Sequence, residues 1–341
     1  MYTATPVRPD AHSAMAEFEQ ILLSNSGEDA FDAAIKLFAA KLFGEVQEHT
    51  TKKVSAFGIH STPEDTHAAI QGLYRHAVMK WPLLGSGTDE LEITPPHLVR
   101  SIRPLLGWSL IGSDLSPLDA TLEHLVSRDS KGSLGQYFTP REIVRMCVEV
   151  LRPTGEEFVI DPACGSGGFL FEALRYSELQ TGKRPTCLGI DFSAKSIRVA
   201  ALLAAATMGD SIQISKANSL DGREYATSYP PSWETFLQQE AASDTRRART
   251  WGAWNKLGCD VLLTNPPFAG DIDEPALLDA YESQQGVRGK KVVSREHLFV
   301  ERAVDLLKPG GRLAIVLPQG ILANTTATYL RDWLLKRCRV L

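Results

Sequence analysis

The sequence predicts an α/β protein in which a doubly wound, parallel sheet is preceded by an α-helical N-terminal domain. Three observations predict it. Short apolar runs at Phe158-Val159-Ile160, Cys187-Leu188-Gly189-Ile190, Ile212-Gln213-Ile214 and Val261-Leu262-Leu263 recur between helical stretches, as strands buried on both faces do. The first run leads into a glycine-rich loop and then an apolar helical stretch through Leu174, giving strand, glycine loop and helix in sequence. Before about residue 128 that alternation is absent, and amphipathic helical patterns stand in its place.

Taken in order, helical periodicity covers residues 14–23, 30–43, 65–81 and 118–126, with Gly, Ser and Pro signals between them. Residues 1–128 therefore read as a helical accessory domain. The polar run Arg128-Asp129-Ser130-Lys131-Gly132-Ser133 marks a linker over 129–134, and 135–341 form the α/β domain. After the fourth strand a long connection runs from Gly270 to about Arg295, followed by a helix over 296–307. Lys308-Pro309-Gly310-Gly311 reads as its stop, 312–317 as a fifth strand and 327–336 as a further helix. Cys338-Arg339-Val340-Leu341 has the pattern of a sixth strand beginning. An uncovered strand edge is an aggregation hazard, so the expectation is a fragment, or one part of a split protein, whose sheet a C-terminal complementing chain completes.

Composition narrows the class. Thirty-six Lys and Arg against 41 Asp and Glu give a formal net charge of −5, which argues against a protein that grips nucleic acid unaided over its whole surface. Two local basic stretches, Arg246-Arg247-Ala248-Arg249 before Trp251 and Trp254, and Arg288-Gly289-Lys290-Lys291, are candidates for phosphate contact. The first reads as solvated loop charge and the second as part of a mobile lid. The five cysteines, at 147, 164, 187, 259 and 338, form no C-x-x-C pair and no zinc spacing. They read as reduced thiols of a cytoplasmic protein. His60, His67 and His76 do not share one helix face, so no metal site is expected. With no signal peptide and no long apolar run, the chain is not expected in a membrane.

The candidate chemistry lies in two motifs about a hundred residues apart. Asp161-Pro162-Ala163-Cys164-Gly165-Ser166-Gly167-Gly168-Phe169 joins the first strand to its helix, where glycines admit close backbone approach and a helix N-terminus points amides at a ligand. Leu170 stands where a nicotinamide-binding fingerprint needs its third glycine, so a dehydrogenase is disfavoured. Asp191, ending the second strand, fits a ribose-binding carboxylate, and a helix cap is the alternative. The second motif is Asn265-Pro266-Pro267-Phe268, directly after the fourth strand. Two prolines stiffen the turn and remove two donors. The Asn265 side chain and the Pro266 carbonyl can then accept both N–H groups of a planar amine, with Phe268 as a stacking face. A plain loop turn is the bland alternative.

With Gln136-Tyr137-Phe138-Thr139-Pro140 upstream, these motifs appear in the order found in S-adenosylmethionine-dependent adenine-N6 DNA methyltransferases, and the chain resembles most closely the methylation subunits of type I restriction-modification systems. The resemblance covers about residues 134–341. It implies a Rossmann-like class I methyltransferase sheet lacking its C-terminal strands and the cofactor S-adenosyl-L-methionine. Tyr137, Phe138 and Thr139 would close over the methionine end. Asp161, Ala163, Gly165, Ser166, Gly167, Gly168 and Phe169 would hold the amino acid part, Asp191 the ribose, and Asn218, Ser219 and Leu220 the adenine. Many relatives carry aspartate where Asn218 stands. Asn265, Pro266, Pro267 and Phe268 would be catalytic. The implied activity is site-specific methylation of adenine N6 in double-stranded DNA, with a specificity subunit and a restriction subunit as partners. Two alternatives remain: methylation of RNA or a protein glutamine, and an inactive cofactor-binding remnant.

Overall fold

The computed structural model describes residues 10–24, 29–88, 90–129, 138–221, 258–282 and 292–341. Its contacts divide into two compact units, Met1–Lys131 with Lys195–Asp210, and Gly132–Ala194 with Ser211–Leu341. Most of the expected linker, both basic stretches and Tyr137 lie outside the described residues.

The first unit is helical. It contains α1 (Ala11–Leu23), α2 (Ala30–Thr51), α3 (Pro63–Lys80), α4 (Pro95–Ile102) and α5 (Ser116–Asp129). Each of the first three starts on a side-chain cap: Asp10 accepts from the Ser13 amide, Asp29 from Asp32 and Thr62 from Asp65. Helix α2 runs well past the expected end at residue 43. Gly44 does not break it, because a Cβ there would lie 2.2 Å from Ser55 Oγ, so the glycine is the space through which the returning chain crosses. Helix α4 opens on Pro95-Pro96, which fits the first helical turn, where no intrahelical donor is needed.

Most of the helix Ala194–Ala206, α8, groups with this unit although it stands between two strands of the sheet in sequence. Its Arg198 donates to Asp32 Oδ1 at 2.7 Å and to the Leu84 carbonyl at 3.2 Å, while Lys36 meets the other Asp32 oxygen at 2.7 Å. Burial alone would raise the Asp32 pKa, but the two cations bring it below the usual carboxylate range.

The second unit is the expected parallel sheet. Strands β1 (Phe158–Asp161), β2 (Thr186–Asp191), β3 (Ile212–Lys216), β4 (Cys259–Thr264) and β7 (Leu307–Ile315) lie in the order β3-β2-β1-β4-β7, all neighbours parallel. The order reverses between β1 and β4, where open α/β sheets hold their ligands beyond the carboxyl ends of the strands. Helices α6 (Arg141–Leu151) and α7 (Gly168–Thr181) belong to this unit too. One sheet face packs Phe158, Ile160, Leu188, Ile190 and Leu262 against Leu298, Phe299 and Leu306, which lie ahead of β7. Strands β5 (Asp271–Ile272) and β6 (Val293–Ser294) form a separate antiparallel pair.

Arg288 to Lys291, read as part of a lid, lie outside the described residues; around them Leu277, Leu278 and Tyr281 are buried in the main core and β5 pairs with β6. Two expectations about the C-terminal third need correction. The helix Arg295–Asp305 stops earlier than expected, and β7 begins at Leu307, so Lys308 to Gly311 fall inside the strand. Cys259 pairs with Leu307 and Val261 with Arg312, which throws the intervening residues out as a bulge turning at Gly310. Cys338 to Leu341 adopt no strand. An alternating pattern becomes a strand only against a partner edge, and among the described residues none pairs with 338–341.

Arg312 fastens this sheet to α6. Its guanidinium meets Glu157 through two parallel contacts, 2.9 and 3.0 Å, and its Nε donates to the Leu151 carbonyl at 2.9 Å. Paired donors of this kind outlast an ordinary surface ion pair, though partial exposure discounts the gain. Arg312→Ala is expected to lower stability by about 1–2 kcal/mol. In a urea titration the midpoint should fall while the slope stays constant.

Candidate functional site

The site is built from the carboxyl ends of β1, β2, β3 and β4. β1 delivers Asp161, which is 1% exposed. One of its oxygens accepts from the Ala163 amide at 3.0 Å, and the other, Oδ2, is buried with no hydrogen-bond partner. Burial pushes the Asp161 pKa up to about 7. The Thr264 hydroxyl and the Ala163 amide oppose the rise, and the nearby Asp191 charge adds to it. Thr264 Oγ1 itself sits outside hydrogen-bonding geometry. A buried carboxylate with one idle oxygen is a receptor for a cation or a donor.

Beyond Asp161 the chain turns through Gly165 at φ +55° and Gly167 at φ +95°, conformations that side chains other than glycine's resist. Gly167 caps α7. A Cβ added at Gly165 or Gly168 would meet nothing within 4 Å, so the backbone edge is open at both positions. The non-glycine residues in and beside the loop, Cys164, Ser166 and Phe169, are buried. The Cys164 thiol has its pKa raised well above normal by burial and then by the charges of Asp191 and Asp161, which leaves it protonated and unreactive.

Asp191, from β2, accepts from the backbone through both oxygens. Oδ1 accepts from the Ser193 amide at 2.8 Å ahead of α8, and Oδ2 accepts from Gly165 at 3.0 Å, strapping the glycine loop to the next strand. Each oxygen retains a lone pair for a hydroxyl ligand. Burial raises its pKa against the pull of the Ser193, Gly165 and Phe192 amides. Phe192 follows it on the surface, 73% exposed.

The segment after β3 closes that side of the site. Asn218 Oδ1 accepts from the Leu220 amide at 3.1 Å, the Ser219 hydroxyl donates to the Pro162 carbonyl, and Leu220 is buried in the core. Two residues that sequence reading missed hold this segment from behind. Tyr281 donates through its hydroxyl to the Leu220 carbonyl at 3.0 Å, and the wholly buried Arg302 donates through Nε to the Ser219 carbonyl at 2.9 Å. No sequence signal marks them, since one Tyr in a long connection and one Arg in an amphipathic helix are ordinary.

β4 ends in Thr264, and the stiff turn follows. Pro266 is buried, while Asn265, Pro267 and Phe268 are half-buried. The Asn265 amide donates through Nδ2 to Thr139 Oγ1 at 2.9 Å, and its carbonyl oxygen Oδ1 is buried without a partner. Phe138 and Thr139 thus come to the site from just ahead of α6. Two orphaned buried acceptors, Asp161 Oδ2 and Asn265 Oδ1, therefore stand at the ends of the neighbouring strands β1 and β4. The arrangement suits one ligand with a cationic or donor end at the glycine loop and a second with a planar amine at Asn265. No group of His, Cys, Asp and Glu able to hold a metal ion occurs among the described residues.

A family model described as N-6 DNA methylase matches residues 119–340. The methylase subunit of the type I restriction enzyme StySPI from Salmonella potsdam is 27% identical over 219 residues, 63% of this chain and 37% of that protein. The corresponding EcoKI subunit from Escherichia coli K12 is 26% identical with the same coverage. The aligned part thus spans little more than a third of these relatives. Among solved structures, a type I restriction-modification methyltransferase subunit from Streptococcus thermophilus superposes with a TM-score of 0.62 at 16% identity, covering 96% of this chain and 78% of that one. The type IIG restriction endonuclease BpuSI superposes with a TM-score of 0.57 at 16% identity, over 94% and 36%.

Proposed function

Because this chain belongs to the N-6 DNA methylase family, we propose that it transfers a methyl group from S-adenosyl-L-methionine to the N6 amine of adenine in double-stranded DNA, as the modification subunit of a restriction-modification system. The observation that carries this reading is the buried, unpartnered Asn265 Oδ1 at the head of a proline-stiffened turn. A specificity subunit would supply base reading, which suits a chain of net charge −5, and a restriction subunit is the further partner. The helical segment 1–128 would be an accessory domain, 129–134 its linker and 135–341 the catalytic domain.

The sulfonium of the cofactor supplies an activated methyl group. Asp161 and the backbone of Gly165 to Gly168 would receive its amino acid end, Asp191 its ribose, and Asn218 with the adjoining backbone its adenine. What remains for the protein is alignment and exclusion of water. Adenine N6 is a weak nucleophile because its lone pair is delocalised into the ring. Hydrogen bonds from its two N–H groups to Asn265 Oδ1 and the Pro266 carbonyl favour a pyramidal nitrogen and strengthen as positive charge develops, and the surplus proton of the methylated nitrogen is then lost to solvent. Phe268 would stack on the extruded base and offset part of the few kcal/mol that unstacking costs.

The test is to incubate the protein, with the partners that co-purify from its host, with methyl-labelled cofactor and duplex DNA. Label in N6-methyladenine is expected, and label only in RNA or in protein would refute the reading. A companion variant tests the cofactor side. Tyr281→Phe strips the Leu220 carbonyl of a partner, at a cost of about 1–3 kcal/mol. Calorimetry should therefore report weaker binding of S-adenosylhomocysteine, and unchanged affinity would detach Tyr281 from the site.

A further inference from the structure

We infer that Arg295 binds a backbone phosphate of the DNA strand beside the extruded adenine. The inference rests on reading the Asn265 turn as the site for that base. Gly270 lies two residues beyond Phe268, so their Cα atoms are at most about 7 Å apart. It turns at φ +104°, and a Cβ added there would lie 2.8 Å from Arg295 Nη2 and 3.0 Å from Arg295 Cζ. Both the backbone angle and the close approach of the guanidinium therefore call for glycine. The backbone is pinned at the same place. The Arg295 amide donates to the Gly270 carbonyl at 2.9 Å, and Asp271 pairs with Ser294 across β5 and β6. Arg295 also opens the helix Arg295–Asp305, whose Leu298, Phe299 and Ala303 are buried in the core of the sheet. A positive charge is thus held close to the turn by the same unit that carries the sheet.

The guanidinium lacks a counter-charge. Among the described residues it forms no ion pair and no hydrogen bond, although it is half-buried. Asp271 accepts instead from the Ser294 hydroxyl at 3.3 Å. Burial raises the Glu296 pKa and the Arg295 charge opposes the rise, but the two side chains do not pair. Arg198 and Arg312, by contrast, each engage a carboxylate and a main-chain carbonyl. A fixed planar fork with its donors unspent matches the oxygens of a phosphate. An adenine swung out of the duplex stays tethered to the strand's phosphates, which brings such a group near the turn. In a chain of net charge −5, contact with DNA depends on local positive charge of this kind.

The test uses the protein purified with its partners and sheared genomic DNA from a host strain lacking the gene. Arg295→Gln keeps the stem and removes the charge, whereas Arg295→Lys keeps the charge and removes the fork. Arg295→Gln is expected to raise KM for DNA about tenfold, the scale of a hydrogen bond to a charged group. The effect should fall on KM rather than kcat, with affinity for S-adenosylhomocysteine within about twofold. DNA affinity of this variant, measured with S-adenosylhomocysteine bound, should fall less steeply with salt, the slope of log K on log salt being smaller by about one. Arg295→Lys should keep the parental slope and recover part of the KM. An arginine that only packs against Gly270 would leave the slope alone. A parental slope in Arg295→Gln, or a loss of S-adenosylhomocysteine affinity as large as the loss of DNA affinity, would overturn the inference. A parent that binds DNA without transferring a methyl group would defeat the proposed function instead, and the slope would still decide the role of Arg295. A parent that binds no DNA would defeat both.

Discussion

Replacing Asn265 with alanine is expected to reduce methyl transfer by about 100- to 1000-fold, the range typical for loss of one preorganised polar group aimed at developing charge. Affinity for S-adenosylhomocysteine should stay within about twofold, because the glycine loop, Asp161 and Asp191 are held by contacts that do not involve Asn265. The fold should also survive. Asn265 lies after the last residue of β4, and among the described residues its side chain is hydrogen-bonded to Thr139 alone. Single-turnover kinetics beside equilibrium titration separate the two quantities. If cofactor affinity fell as far as the rate, Asn265 would be a binding residue rather than a transition-state acceptor.

The second large effect is a pH dependence of cofactor binding set by Asp161. In the folded protein its pKa is raised to about 7, chiefly by burial, so below that pH the group is mostly neutral. The ammonium of S-adenosylhomocysteine, an ordinary amino-acid amine with no neighbouring sulfonium, stays charged over most of the range titrated below, and it gains a counter-charge only as Asp161 ionises. Affinity should therefore rise with pH, by up to about tenfold per unit below the Asp161 pKa, and level off above it. The linkage to stability of the ligand-free protein has the opposite sign. Folded Asp161 holds its proton to higher pH than the unfolded side chain, whose pKa is about 3.9, so the fold loses stability as pH rises between those values. Asp161→Asn should bind weakly with a flat profile. Titrations with S-adenosylhomocysteine from about pH 5.5 to about pH 8.5 test this, and a flat profile in the parent protein would contradict the assignment.

The sheet was legible in the sequence because its signals are local. A strand buried on both faces must be apolar throughout, and Val159, Ile160, Val261, Leu262 and Leu263 are each 0% exposed. The glycine loop was legible because positive φ at Gly165 and Gly167 demands that residue type. The bulge at Lys308 to Gly311 was hidden, since the same residues serve equally well as a helix stop and only pairing with Cys259 and Val261 distinguishes the two. The extension of α2 was hidden for a related reason: Ser55, which occupies the space above Gly44, arrives from a later segment.

At the site, sequence pattern identified candidates but not their connections. Nothing in Thr139 or Asn265 alone announces that their side chains meet, and the hydroxyl of Ser219 turns toward Pro162 rather than outward. Tyr281 and Arg302 act through backbone carbonyls of Leu220 and Ser219, contacts that carry no residue-type code on the accepting side. Burial supplied the remaining information. An asparagine before two prolines is ordinary until its oxygen is found enclosed and without a partner.

The most direct test of the central claim is single-molecule sequencing of the host genome for N6-methyladenine, comparing the parental gene with Asn265→Ala at its native locus. Methylation at one defined sequence motif that disappears in the variant is the predicted result. A methylome identical in the two strains would contradict the claim that this chain methylates adenine in DNA through Asn265.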